Sequence, residues 1–176
     1  MRRQEFLNRQ AMDAVRQMNA MLSPDVREMT FRFNDGGRKK ANFKGKTGDC
    51  VCRAIAIAFK LPYKEVYDKL NELGKQEKPS MRRKGRSSAR KGMHKVTYHD
   101  FICSLGATWV PTMKVGQGCT VHLREGEVPA KGRLIVRLSR HIAAVIDGVI
   151  HDISDPSRYG TRCVYGYYIV SPKGHK

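Results

Sequence analysis

Arg133-Leu134-Ile135-Val136-Arg137-Leu138-Ser139, then His141-Ile142-Ala143-Ala144-Val145-Ile146-Asp147-Gly148-Val149-Ile150-His151-Asp152-Ile153, is the stretch whose reading decides the fold. β-branched and apolar residues run through it, broken only by short polar pairs, and Asp147-Gly148 is a strong signal for a two-residue hairpin turn. A strand over 133–139, a second over 141–146 and a return over 149–153 follow, and Val164–Val170 supplies another. Upstream the patterning is helical. Helices first and an antiparallel sheet after them make an α+β chain.

The hairpin fixes a register. With a two-residue loop, Ile146 faces Val149, Val145 faces Ile150, Ala144 faces His151 and Ala143 faces Asp152. Alternation along each strand then places His141 on the face of Ala143 and Asp152, with Asp152 diagonal to it. His151 points the other way. A carboxylate there would fix the imidazole tautomer and stabilise the imidazolium, as a catalytic base requires. Asp155, beside Pro156, is the alternative if a bulge shifts the register.

A base needs a nucleophile, and Gly48-Asp49-Cys50-Val51-Cys52-Arg53, entering an unbroken apolar run to Phe59, offers one. Asp49 has the chemistry of an N-cap, which puts Cys50 in the first helical turn, where the dipole and free N–H groups favour a thiolate. Cys52 lies about 200° around the axis from Cys50, so the two cannot line one cleft, and Cys52 reads as core. Arg53 is placed either to support the thiolate or to form an ion pair with Asp49 or Asp68.

The remaining chain frames this unit. Leu7, Ala11, Val15, Met18 and Leu22 mark an amphipathic helix over 2–22, ended by Ser23-Pro24. Residues 1–28 read as an extension, and 29–176 as the compact domain. Met29 followed by Thr30-Phe31-Arg32-Phe33 alternates like a short strand before the Asn34-Asp35-Gly36-Gly37 turn. A second helix is expected at 64–76, a third at 97–105, a strand at Trp109 and a helical turn within 121–128.

Net charge is +18, from 34 basic and 16 acidic side chains. Such a field attracts nucleic acid or acidic proteins. The basic residues cluster in two loops: Arg38, Lys39 and Lys40 within 38–46, and Arg82, Arg83, Lys84, Arg86, Arg90 and Lys91 within 78–95. These are the candidate contacts for nucleic acid or an acidic partner. Five cysteines with no secretory segment before them suggest reduced thiols and a cytoplasmic protein. No apolar run approaches the roughly 18 residues that span a bilayer, so no membrane partner is expected. Cys119-x-x-His122 lacks further residues to complete a zinc site, and neither metal nor cofactor is expected.

The order of these residues resembles the papain-like cysteine peptidase superfamily: a cysteine opening a buried helix, a histidine opening a strand, a carboxylate on the returning strand. The resemblance is closest to bacteriocin-processing peptidases, where Asp-Cys also opens the helix. Thr47-Gly48-Asp49-Cys50-Val51 and His141 through Asp152 are similar to small proteins encoded by tailed phages, which implies the host cytoplasm. The superfamily implies Cys50 as nucleophile, His141 as base and Asp152 as orienter, acting on a protein or peptide. Many members carry a glutamine five or six residues before the cysteine to complete the oxyanion hole. Here those positions hold Gly45 and Lys44, which leaves Asn42 and Thr47 as substitutes. The alternative is a non-catalytic protein of the same fold that binds nucleic acid or a host protein.

Overall fold

The computed structural model describes residues 27–45, 47–78 and 85–171. The expected 2–22 helix lies outside them, as do Arg82, Arg83 and Lys84. In chain order the elements are β1 (Thr30–Phe33), α1 (Cys50–Phe59), α2 (Tyr63–Gln76), α3 (Lys95–Ser104), β2 (Ala107–Pro111), β3 (Arg133–Leu138), β4 (His141–Ile146), β5 (Val149–Asp152) and β6 (Val164–Val170). The chain is α+β, with three described helices packed on one six-stranded sheet of order β1-β5-β4-β3-β6-β2. Its expected antiparallel character needs correction. β1 joins the edge parallel to β5, which makes the sheet mixed.

The Asp147-Gly148 hairpin forms as read: both residues take positive φ, 48° and 77°. The pairs are Ile146–Val149, Val145–Ile150 and Ala144–His151. Alternation along the strands then builds two cores. Ile135, Ala144 and Tyr168 pack beneath the helices with Ile55, Val66, Leu70 and Ile102. Leu134, Val136, Val145, Ile150 and Val164 form the opposite face, covered by Met29, Leu123 and Val128.

α1 is buried from Val51 to Ala58, as its unbroken apolar run demands. Its last turn is fixed to the sheet by a charged cap. Arg133 donates from Nε to the Ala58 carbonyl and from Nη2 to the Ile57 carbonyl, both at 2.5 Å. A guanidinium suits the negative end of a helix dipole. The opposite end of α1 therefore addresses the ends of β4 and β5 that carry His141 and Asp152.

Two local expectations fail for identifiable reasons. The segment 121–128 is a turn, where Gly126 takes φ +82° and the Glu127 carboxylate accepts the His122 N–H at 2.5 Å and the Arg124 Nε at 2.5 Å. The five cysteines are not all reduced. Cys119 and Cys163 form a disulfide with their Cα atoms 5.8 Å apart, and Cys50, Cys52 and Cys103 are free. The pairing follows from a bridge between His122 and Cys163 that lays the two segments side by side. Among the described residues no helix is long and apolar enough to cross a membrane.

Gly166 on β6 sits at φ +149°, where an added Cβ would overlap the Trp109 ring and lie 2.7 Å from the Val110 carbonyl oxygen. Gly166→Ala is expected to cost about 1–3 kcal/mol, from overpacking and an unfavourable backbone conformation together. Urea denaturation of the variant measures it.

Candidate active site

Cys50 is the first residue of α1, and His141 is the first residue of β4, directly after the Ser139-Arg140 turn. Asp152 ends β5. The three converge at one end of the sheet. His141 Nε2 and Asp152 Oδ2 lie 2.5 Å apart, and Cys50 lines the same cleft as the ring and acts on it electrostatically. With Nε2 engaged by the carboxylate, Nδ1 is the nitrogen left to the sulfur. Asp155 instead accepts the Ser157 N–H in a local turn at 2.8 Å, so Asp152 is the histidine's partner.

Burial alone would push the His141 imidazole down. The hydrogen bond to Asp152 outweighs it together with the neighbouring Cys50 and the Asp152 charge, and the ring rises from 6.5 to about 9. For Asp152, burial opposes ionisation, but the His141 hydrogen bond and charge, the Ile153 N–H and the Arg53 charge hold it below the usual carboxylate range. An imidazolium beside a carboxylate and a sulfur is the state these shifts favour at neutral pH.

A nuclear magnetic resonance titration of the His141 ring should find a midpoint near 9. Cys50→Ala and Asp152→Asn should each lower it, because each removes a group that favours the charged ring. A folded-state value raised above the ordinary one stabilises the fold below pH 6.5, and that contribution is lost as pH rises through about 9. A midpoint unchanged in Cys50→Ala would show that the sulfur does not face the ring.

Asp152 is held from several sides. Its Oδ1 accepts the Ile153 N–H at 2.7 Å and Arg53 Nη2 at 3.2 Å, and its carbonyl accepts the Asn34 N–H at 2.8 Å. Arg53, only 4 % exposed, also pairs with Asp49. Asp49 itself is fully buried. It takes Arg38 Nε at 3.1 Å and the Tyr63 hydroxyl at 2.5 Å. Its expected role as N-cap is therefore corrected: the side chain makes no capping bond. The buried guanidinium offers a charged partner that outcompetes backbone amides. The first-turn N–H groups of α1 are thus left unclaimed by Asp49.

The other cysteines stand apart from this network. Cys52 is fully buried, with Sγ 3.6 Å from the Tyr63 carbonyl, and burial pushes its thiol up to about 12. Cys103 lies on α3 with Sγ 3.9 Å from His99 Nε2, and burial and the Asp100 charge raise its thiol. Neither has the surroundings of a nucleophile.

A cleft of about 730 Å³ opens over Cys50 and His141. Thr47 lines it, but its hydroxyl donates to the Arg90 carbonyl at 2.9 Å. Asn42 is exposed at φ +62° in the preceding turn and is not part of the cleft lining. The sequence reading missed Tyr98. It lines the cleft from α3, feels the Cys50 charge, and makes no hydrogen bond through its hydroxyl among the described residues. It also missed Arg137 and Arg140, which line the same cleft as Lys95 of the basic 78–95 segment. Sheet alternation puts Arg137 on the face of Ile135, and this was the one signal available for it.

Of the basic-loop residues, Arg38 is committed to Asp49 and to the Gly45 carbonyl, at 2.8 Å for the latter. Lys39, Lys40, Arg86 and Arg90 are exposed, Arg90 with Nη2 3.5 Å from the Lys44 carbonyl, and Lys91 reaches the cleft. His122 is paired with Glu127 at 3.1 Å, and Cys119 is in the disulfide. The chain matches no protein-family model, no curated protein and no solved structure.

Proposed function

We propose that the protein is a papain-like thiol hydrolase, a cysteine peptidase or a close relative that cleaves an acyl bond through Cys50. One observation carries the reading: Cys50 opens a buried helix and shares a cleft with an imidazole whose Nε2 is 2.5 Å from a buried carboxylate. Sγ attacks the substrate carbonyl carbon after its proton passes to His141, and the carbonyl oxygen becomes an oxyanion. His141 returns the proton to the leaving group as the C–N or C–O bond breaks, which leaves a thioester on Cys50. Water, deprotonated by His141, then releases the acid and regenerates the thiol.

The oxyanion needs donors in place of the absent glutamine. The first-turn amides of α1 and the Tyr98 hydroxyl, both at the cleft, supply them in this reading. Tyr98→Phe is then expected to slow acylation roughly tenfold, the scale of one hydrogen bond, with alkylation by iodoacetamide unchanged, since that reaction forms no oxyanion. Equal loss in both reactions would mean that Tyr98 acts by packing.

The test of the whole reading is acylation of the intact protein with p-nitrophenyl acetate, followed by peptide mapping. A single thioester on Cys50 supports it. Acetyl groups on Cys103, or none on any cysteine, would overturn it. A second reading, a non-catalytic basic binding protein, is favoured by the exposed Lys39, Lys40 and Arg86. Salt-steep nucleic-acid binding unaffected by Cys50→Ala is its signature.

A further inference from the structure

The cleft does not end at the histidine. A second depression of about 480 Å³ lies beside it, and the two share Arg140, His141 and Ser154. The two adjoin at His141, and Cys50 lines the first of them. Lys91, Lys95 and Arg137 line one arm, Arg140 stands at the junction, and Arg158 and Arg162 line the other. Among the described residues no carboxylate pairs with any of the six. Arg137 is 4.6 Å from the centre of the Trp109 ring, and Arg162 donates to the Ser139 carbonyl at 2.6 Å. Burial and the neighbouring Arg158 charge lower Arg162, and they outweigh the Tyr165, Asp152 and Cys50 charges that raise it. The one carboxylate in the lining, Asp155, is occupied by the Ser157 amide.

We infer that this groove takes an acidic polypeptide, with carboxylates on both sides of the bond presented to Cys50. The inference rests on the thiol-hydrolase reading and names its substrate class. Unpaired cations in a cleft focus the field and select negative ligands. A polypeptide fits better than nucleic acid because the groove centres on a nucleophile that needs a carbonyl carbon.

The experiment compares a short oligoglutamate peptide with oligoserine, oligolysine and a single-stranded DNA oligonucleotide, using the full chain. Binding is read by fluorescence anisotropy, and occupancy of the groove by the rate at which iodoacetamide modifies Cys50 relative to Cys103. Oligoglutamate is expected to bind and to slow modification of Cys50 only, both effects fading with salt. Arg140→Gln and Arg158→Gln should each weaken it roughly threefold, the scale of an exposed ion pair. Lys131→Gln, beyond the opposite end of β3, should change nothing. Stronger protection by DNA would assign the groove to nucleic acid, and oligoglutamate that leaves Cys50 unprotected would overturn the inference. Failure of the hydrolase reading is distinguishable: oligoglutamate would still protect Cys50, while the free protein would form no thioester.

Discussion

His141→Ala is expected to slow acylation of Cys50 by p-nitrophenyl acetate roughly 10²–10⁴-fold near neutral pH, the range attributed to a positioned general base. The variant removes the hydrogen-bond partner of Asp152 and the ring that shares the cleft with Cys50. Alanine leaves a vacancy at a half-buried strand end, so circular dichroism should still report a folded chain. Asp152→Asn should give a smaller loss and a different signature. An amide preserves a polar contact to the ring but removes the negative charge that helps hold His141 near 9. The imidazolium then gives up its proton at lower pH, and the alkaline limb of the rate profile moves down with it. Release of nitrophenolate measured across pH for the three proteins checks both effects. A wild-type rate in His141→Ala would remove the histidine from the chemistry and with it the triad.

How much of this was legible beforehand depends on the range of the interaction that decides each feature. The His141–Asp152 pair was legible because a two-residue turn fixes register and β alternation fixes faces, both local rules. The choice of Cys50 over Cys52 followed from helix geometry in the same way. The parallel partner of β5 was not legible: β1 is four residues long and pairs with a strand more than a hundred residues away, with no local signal to say so. The Cys119–Cys163 bridge was hidden by an odd cysteine count and by loops that only the fold aligns. Asp49 shows a propensity overruled by tertiary context. Its capping tendency is real, but Arg53 lies one turn on and is buried beside it. The cations of the groove come from Lys91, the start of α3, β3, its turn and the 158–162 loop, and only folding brings them together.

Arg53→Met should be the most destabilising change near the site, by about 3–5 kcal/mol, the usual cost of stripping a buried charge of its partner. Among the described residues Arg53 is the one side chain that contacts both Asp49 and Asp152, and those carboxylates are 0 % and 2 % exposed. Asp49 keeps Arg38 and Tyr63, and Asp152 keeps His141, so the fold should survive with a melting temperature lowered by roughly 10 °C. Arg53→Lys should recover little, because one ammonium cannot fork between two carboxylates as a guanidinium does. Adding Asp49→Asn to Arg53→Met should recover part of the stability, since it discharges one of the two stranded anions, and that non-additivity is the mark of a shared network. Acylation of Cys50 should also slow in Arg53→Met at temperatures where it remains folded, because Asp152 loses a contact that orients it against His141. Arg53 would act there as a positioning residue, and denaturation curves for the single and double variants, set beside their acylation rates, separate the two effects. Additive losses in the double variant would mean that Asp49 and Arg53 are stabilised independently and that the helix start is not organised around their pair.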